Sequence, residues 1–367
     1  MSNYGLHPNC FYCTSIVQSI FDMKEDKRET AASGIPPEAL QKEFERDIIT
    51  SPLDLDLYKL TMGQFAWEHY PDVPVTYEFV NRTKDVKLAR EIPQKVLEDH
   101  FHRIQKLSFT DEDIMYLRNV KVNGVTLFKE AYLQSLKDMQ LPKVSVSEDD
   151  GQYKIEVHGS WSTAMYWETF ILSTVNELYY RKARFDSGLS ESQVRTEGRR
   201  KLDKKLTTLE NYIRQVEAAG GEGPYIMDFG TRRRYAGDWQ QEVVSTAAKR
   251  LGKYFIGTSN VSLGQKLNIA IKGTLAHETD MVFSGIFRAS DDKAGTFVSH
   301  DKMLEMWYQE YGKALSVALT DTYGDDFFFE HFTKDQAEKW IGLRQDSGDP
   351  IEFGKKAIAY YKKMEID

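Results

Sequence analysis

From residue 225 onward the sequence keeps one rhythm: a short apolar run, a cluster of small and polar residues, then often a helical stretch. Tyr225-Ile-Met-Asp-Phe229 runs into Gly-Thr-Arg-Arg-Arg234. Tyr254-Phe-Ile256 runs into Gly-Thr-Ser-Asn260, and Ile269-Ala-Ile271 into Lys-Gly-Thr-Leu-Ala-His-Glu278. Leu315-Ser-Val-Ala-Leu319 runs into Thr-Asp-Thr-Tyr-Gly324, and Trp340-Ile-Gly-Leu343 into Arg-Gln-Asp-Ser-Gly-Asp-Pro350. Helical stretches at 239–251 and 301–312 lie between some of these runs. Buried strands capped by polar residues and separated by helices predict parallel β/α units. In a β/α barrel the chemistry sits on the loops after the strands. A doubly wound open sheet with incidental polar loops remains the alternative. Five strands do not close an eight-stranded barrel, so either strands before residue 225 contribute or the chain stops inside the fold. A last helix is expected over 350–364.

The first half reads differently. A helix starts near Asp54, with Leu57, Leu60, Met62, Phe65 and Ala66 at roughly helical spacing, and Pro71 and Pro74 end it. Val75-Thr-Tyr-Glu-Phe-Val80 and Tyr153-Lys-Ile-Glu-Val157 alternate as strands do. A long apolar helix follows from Ala164 to about Arg181. Leu202, Leu206, Leu209 and Ile213 mark an amphipathic one. The expected organisation is an extension over 1–48, an N-terminal α+β domain over 49–160 and the barrel domain over 161–367. Loop chemistry at Ala31-Ala-Ser-Gly-Ile-Pro-Pro37 supports the extension, with a short helix starting at Pro37.

Composition narrows the function. The 367 residues carry 48 basic and 56 acidic side chains, a formal charge of −8. That balance argues against broad nucleic-acid binding. No run of eighteen uncharged apolar residues occurs, so no membrane-spanning helix is expected. Cys10 and Cys13 form a lone C-x-x-C that cannot complete a zinc site. They read as free thiols in a reducing, cytoplasmic compartment, with a redox pair as the alternative and the nucleus a second location.

Several residue clusters suit chemistry, and each has a plain structural alternative. Arg232-Arg-Arg234 suits phosphate or pyrophosphate; a solvated basic turn or salt-bridge cluster is the alternative. His277 is the histidine at a predicted strand end, and Glu278 beside it suits the orientation of a nucleophilic or acid–base imidazole. The other seven histidines read as structural or exposed. Asp346 or Asp349 suits sugar hydroxyls or Mg²⁺ held through water. An Asx-type turn explains the same residues. Asp321 is a strand-end acid or a helix cap. The phosphate-loop, dinucleotide, zinc-protease and nucleophile-elbow signatures are absent, as is the common phosphoribosyltransferase fingerprint.

Taken together, the stretches resemble nicotinate phosphoribosyltransferase, a type II phosphoribosyltransferase, over about 51–367. The motifs are Leu53-Asp-Leu-Asp-Leu-Tyr-Lys-Leu-Thr-Met62, Phe229-Gly-Thr-Arg-Arg-Arg234, Gly257-Thr-Ser-Asn260 and Gly273-Thr-Leu-Ala-His-Glu278. Ala318-Leu-Thr-Asp-Thr322 and Gly342-Leu-Arg-Gln-Asp-Ser-Gly-Asp-Pro350 follow in the same order. The resemblance implies that nicotinate attacks C1 of phosphoribosyl pyrophosphate, giving nicotinate mononucleotide and pyrophosphate in NAD biosynthesis. It implies ATP as co-substrate through a phosphohistidine at His277, with Mg²⁺. It also implies an α/β sandwich-like domain beside the irregular barrel.

Roles then map residue by residue. Phe229 is expected to stack on the pyridine and Tyr58 on its other face. The resemblance implies that this tyrosine comes from a partner subunit, hence a homodimer. Arg232 and Arg344 are expected at the phosphates. Thr231, Ser347 and Gly348 belong to the same substrate-binding stretches. Asp321 and Asp346 are expected at the ribose or Mg²⁺, with His277, Glu278 and Asp321 as the catalytic group. The nicotinamide-using relative carries Asp where Ser259 stands. Serine can donate to the nicotinate carboxylate where aspartate would repel it. Two departures stand out: the N-terminal extension has no counterpart, and the family continues past residue 367 into a further strand and a Gly-rich phosphate loop. A related enzyme using another nitrogen base, and a shortened non-catalytic form that dimerises with or regulates an intact enzyme, are the competing readings.

Overall fold

The computed structural model describes residues 38–122, 124–288, 290 and 292–366. Cys10, Cys13 and His7, with the readings attached to them, lie outside the described residues. The Glu38–Glu45 helix begins the described chain and buries Leu40 and Phe44 completely. Buried Arg181 donates to the Glu43 and Arg46 carbonyls at 2.6 and 2.7 Å. Residues 38–48, placed in the expected extension, thus give Leu40, Phe44 and Ile48 to the core.

The Leu57–His69 helix is buried on every side from Leu57 to Ala66. That stretch has no solvent face, and its polar members Lys59, Thr61 and Gln64 are buried with the apolar ones. Phe65 meets Trp161, Phe283 and Trp307 with ring centroids 5.6–6.4 Å apart. The core is continuous around this helix, from Leu40 to Tyr360. An antiparallel sheet lies beside it: β1 (Pro74–Phe79), the β2 (Lys121–Val122) and β3 (Val125–Thr126) hairpin standing apart, then β4 (Val144–Asp149) and β5 (Gln152–Ser160), in the order β1-β5-β4. β5 pairs Val157 with Tyr77 and with Val144. The Trp167–Ser187 helix follows, then the Glu191–Ala218 helix, which packs Leu202, Leu206 and Ile213 against Ala247, Leu251 and Tyr254 in a separate small cluster.

Parallel pairing begins at β6 (Ile226–Asp228), which pairs with β7 (Phe255–Thr258). Thr258 then bridges Ile271 in parallel. β8 (Val317–Leu319) pairs in parallel with β9 (Gly342–Arg344). Among the described residues no ladder joins Ile271 to β8, so hydrogen bonds draw two parallel pairs rather than a barrel wall. The run at 269–271 contributes one bridge instead of a strand. Nor is β6 a buried strand, since Tyr225 and Met227 stay exposed. The fold is mixed α/β, with the parallel strand ends carrying the polar motifs.

Gly257 is fixed by a close approach. Its φ is +145°, and a Cβ there would lie 2.2 Å from the Ala270 carbonyl oxygen. Gly257→Ala is expected to destabilise the fold by more than about 1 kcal/mol. Chemical denaturation of the two proteins checks this, and equal midpoints would refute it.

Candidate active site

The ends of β8 and β9 and the start of the His277–Phe287 helix converge. His277 Nδ1 hydrogen-bonds with the Thr322 hydroxyl at 3.0 Å. Its Nε2 lies 3.4 Å from Asp346 Oδ2 and 3.9 Å from Asp321 Oδ1. Asp346 Oδ1 pairs with Arg344 Nε at 3.1 Å. Burial pushes the Asp346 carboxyl up, but His277, Arg344 and Arg232 outweigh it and hold it at about 2. Asp321 is buried; its Oδ2 accepts from the Asp346 N–H at 3.2 Å and the Ser347 hydroxyl at 2.6 Å. Arg344 Nη1 donates to Thr274 Oγ1 at 3.2 Å and to the Leu275 carbonyl at 2.9 Å, tying β9 to the loop before His277. Gly348 takes φ +89°, which turns the chain tightly after Ser347.

A second group lies around Glu278. Lys59, fully buried, places Nζ 2.5 Å from Glu278 Oε2 and 2.5 Å from Glu168 Oε2. The Tyr77 hydroxyl donates to Glu278 Oε1 at 3.1 Å. Arg232 Nη1 donates to Glu168 Oε1 at 2.7 Å, and its Nε lies 3.5 Å from Asp56 Oδ2. Burial pushes the Glu168 carboxyl up, but Lys59 and Arg232 outweigh it and keep it below the usual range. Burial dominates at Glu278, with Glu168 adding to it, so that carboxyl is raised. Burial opposes the Lys59 charge, yet the two carboxylates hold its pKa above the usual lysine value. Lys59 lies within the 53–62 motif without a sequence sign of this contact, and nothing at position 168 marks Glu168 as facing it.

Other sequence assignments need correction. Tyr58 is buried at 4% exposure, with the Arg232 guanidinium 5.6 Å from its own ring centroid in the same chain. Within this chain its ring packs beside Arg232 instead of standing exposed. Thr231 is fully buried, and its hydroxyl accepts from Gln240 and Asn260 at 3.3 Å. It shapes the turn instead of facing substrate. Ser259 is fully buried and donates to Asp56 Oδ1 at 2.6 Å. That proton is committed to Asp56. Asp349 Oδ1 accepts from the Ile351 and Glu352 N–H groups at 2.8 and 3.1 Å, capping the Pro350–Lys363 helix. Asp349 thus matches the Asx-type turn alternative, its carboxylate taken up by the following backbone. The basic run splits: Arg234 is buried in a bidentate pair with Asp54, both bonds 2.7 Å, while Arg232 reaches the site. Phe229 stands exposed at the end of β6.

Asp321 Oδ1 is buried with no hydrogen-bond partner, an acceptor left open beside Asp346. Such an orphaned carboxylate oxygen fits a hydrated Mg²⁺. Elsewhere Glu68, His69 and Glu310 gather as a metal-type group. Lys129 Nζ already lies 2.6 Å from Glu68 and 2.8 Å from Glu310, supplying the cation.

The family profile described as the nicotinate phosphoribosyltransferase N-terminal domain matches residues 53–176, and the nicotinate phosphoribosyltransferase family profile matches 225–367. A nicotinate phosphoribosyltransferase from Chromobacterium violaceum is 40% identical over 323 residues, covering 87% of this chain and 76% of that protein. The chain belongs to the nicotinate phosphoribosyltransferase family. A second member, from Acinetobacter baylyi, is 37% identical over 327 residues, 87% of this chain and 75% of that protein. The crystal structure of the Vibrio cholerae nicotinate phosphoribosyltransferase superposes with TM-score 0.73 at 28% identity, over 88% of this chain and 72% of that one. The Porphyromonas gingivalis structure gives 0.72 at 27%, over 87% and 76%. Both family profiles fall on the segments that carry the two groups above.

Proposed function

We propose that the chain is a nicotinate phosphoribosyltransferase of NAD biosynthesis. It transfers phosphoribosyl from phosphoribosyl pyrophosphate to nicotinate and releases pyrophosphate. The observation that carries this reading is the convergence of His277, Asp321, Asp346 and Arg344 at the ends of two parallel strands and one helix. The pyridine nitrogen forms its bond to C1 as the C1–pyrophosphate bond breaks, and the bonding pair leaves with pyrophosphate. Arg344 and Arg232 stabilise that departing charge. Phe229 provides an apolar face for the pyridine ring. Asp321 and Asp346 would hold Mg²⁺, which neutralises charge across the pyrophosphate. Thr322 and Asp346 orient the His277 ring from its two nitrogens. His277 takes the terminal phosphoryl group of ATP, leaving ADP, and water later releases it as phosphate. Nicotinate as the acceptor follows from the family, not from charge at Ser259, whose hydroxyl already lies 2.6 Å from the Asp56 carboxylate.

The frame inferred for this chemistry is the irregular β/α barrel over 161–367, with the sandwich-like α+β part over 49–160. Parallel succession of β6, β7, Ile271, β8 and β9 supports it. The homodimer rests on the resemblance, and cytoplasmic or nuclear location on the reading of Cys10 and Cys13 as free thiols. Among the described residues no helix is long and apolar enough to cross a membrane.

Product formation by the purified chain tests the reading. Nicotinate, phosphoribosyl pyrophosphate and Mg²⁺ are expected to yield nicotinate mononucleotide, faster with ATP, and His277→Ala is expected to abolish the ATP stimulation. A folded, monodisperse wild type without product overturns the catalytic reading in favour of a non-catalytic form.

A further inference from the structure

Lys59 is a charge with no access to water. A buried ion costs several kcal/mol of solvation unless its partners replace the lost water. Its partners here are two carboxylates, and both are shared. Glu168 gives Oε2 to Lys59 and Oε1 to Arg232. Lys59 in turn divides itself between Glu168 and Glu278, each at 2.5 Å. The four groups form an alternating line, Arg232–Glu168–Lys59–Glu278, drawn from four separate segments of the chain. Its outer end, Arg232, is about one-third exposed, with a side-chain accessibility of 31%. Its inner end, Glu278, follows His277 in the first turn of the helix that carries both.

Sharing makes the line transmit. A carboxylate that loses one cation is attracted more strongly to the other, and low surrounding polarity enlarges the effect. An anion that draws Arg232 away leaves Glu168 to Lys59. Lys59 then slackens its hold on Glu278 at the root of the His277 helix. We infer that Lys59 is a positioning residue that couples anion binding at Arg232 to the seating of Glu278 and His277. This rests on the reading above, in which Arg232 meets a substrate phosphate. Coupling free energies are reciprocal, so the state of Glu278 must also set the affinity at Arg232. Asp56 near Arg232 and the Tyr77 hydroxyl on Glu278 are the other polar partners, and neither spans both ends.

The line gives opposite signs to two substitutions. In Lys59→Met, Glu168 turns wholly to Arg232, and anions must compete harder for it. In Glu278→Gln, Lys59 turns wholly to Glu168, and Arg232 is released. Calorimetric titration of inorganic pyrophosphate into the full chain reads both. Affinity is expected to fall about fivefold or more in Lys59→Met and to rise by a similar factor in Glu278→Gln, a scale typical of coupled sites. General loosening of the site lowers both, so a fall in both, or no change in either, overturns the inference. If Lys59→Met does not fold, the sign for Glu278→Gln decides alone. Arg232→Met separates the two levels of the argument. If pyrophosphate binding by the wild type is absent, or indifferent to Arg232→Met, the anion role of Arg232 and the inference fall together. Binding that needs Arg232 but lacks the opposite signs removes the inference only.

Discussion

Replacing Arg344 by alanine is expected to lower kcat/KM for phosphoribosyl pyrophosphate by about 10²–10³. That is the usual loss when one fixed donor to a developing negative charge is removed. Arg344 has two duties. Its charge faces the site beside Asp346, at 3.1 Å, and its Nη1 braces Thr274 and Leu275 just before His277. Arg344→Lys keeps the charge but cannot reproduce a planar guanidinium serving both sides. It is expected to recover only part of the loss. The pH profile moves as well. Asp346 is held at about 2 partly by Arg344. Without that cation its carboxyl rises, so the acid limb of activity shifts to higher pH. Steady-state kinetics over pH test both points, and rates within threefold of wild type with an unmoved acid limb would discard this role for Arg344.

The strand-end clusters were legible because they are local. His277 and Glu278 stand together in sequence, and so do Arg344, Asp346 and Ser347. Short apolar runs announced where each cluster sits. What faces what across the fold was not legible. Lys59 meets Glu278 across 219 positions, and neither residue advertises the other. Glu168 lies inside a helix whose apolar pattern hides a site-facing side. Ser259 stands where the nicotinamide-using relative carries Asp, and Thr231 lies in a motif stretch, which predicts both at the substrate. Burial turns both inward, and their partners Asp56, Gln240 and Asn260 are set by packing. Some missed structure did leave a signal. Thr110 and Asp113 form a capping box that starts the Asp111–Arg118 helix, and Ser190 with Gln193 does the same for Glu191–Ala218. Strand order had no such signal, since it is a property of pairing and not of any one segment.

Arg234→Met is expected to cost about 3–5 kcal/mol of folding stability, the usual range when one member of a buried ion pair is lost. Arg234 is buried, and both of its bonds to Asp54 are 2.7 Å. Asn260 adds a third bond to the same carboxylate at 2.7 Å. Removing the guanidinium leaves Asp54 with one neutral donor in a poorly solvated place. The pair also predicts an acid dependence. Burial raises the Asp54 carboxyl, but Arg234 and Asn260 lower it further, and the net folded value is below the ordinary 3.8. A depressed carboxylate contributes its stability in full above its unfolded pKa. The contribution fades as pH falls through the folded value. Wild type should therefore lose stability as pH falls below about 4, while Arg234→Met, already lacking the pair, should show a flatter acid limb. Denaturant unfolding at several pH values measures both. Parallel acid limbs in the two proteins, or a loss under about 1 kcal/mol, would mean that the pair behaves as a surface contact. Arg234 is then no different in kind from an exposed turn residue, and the split of the basic run into one structural and one site-facing arginine fails with it.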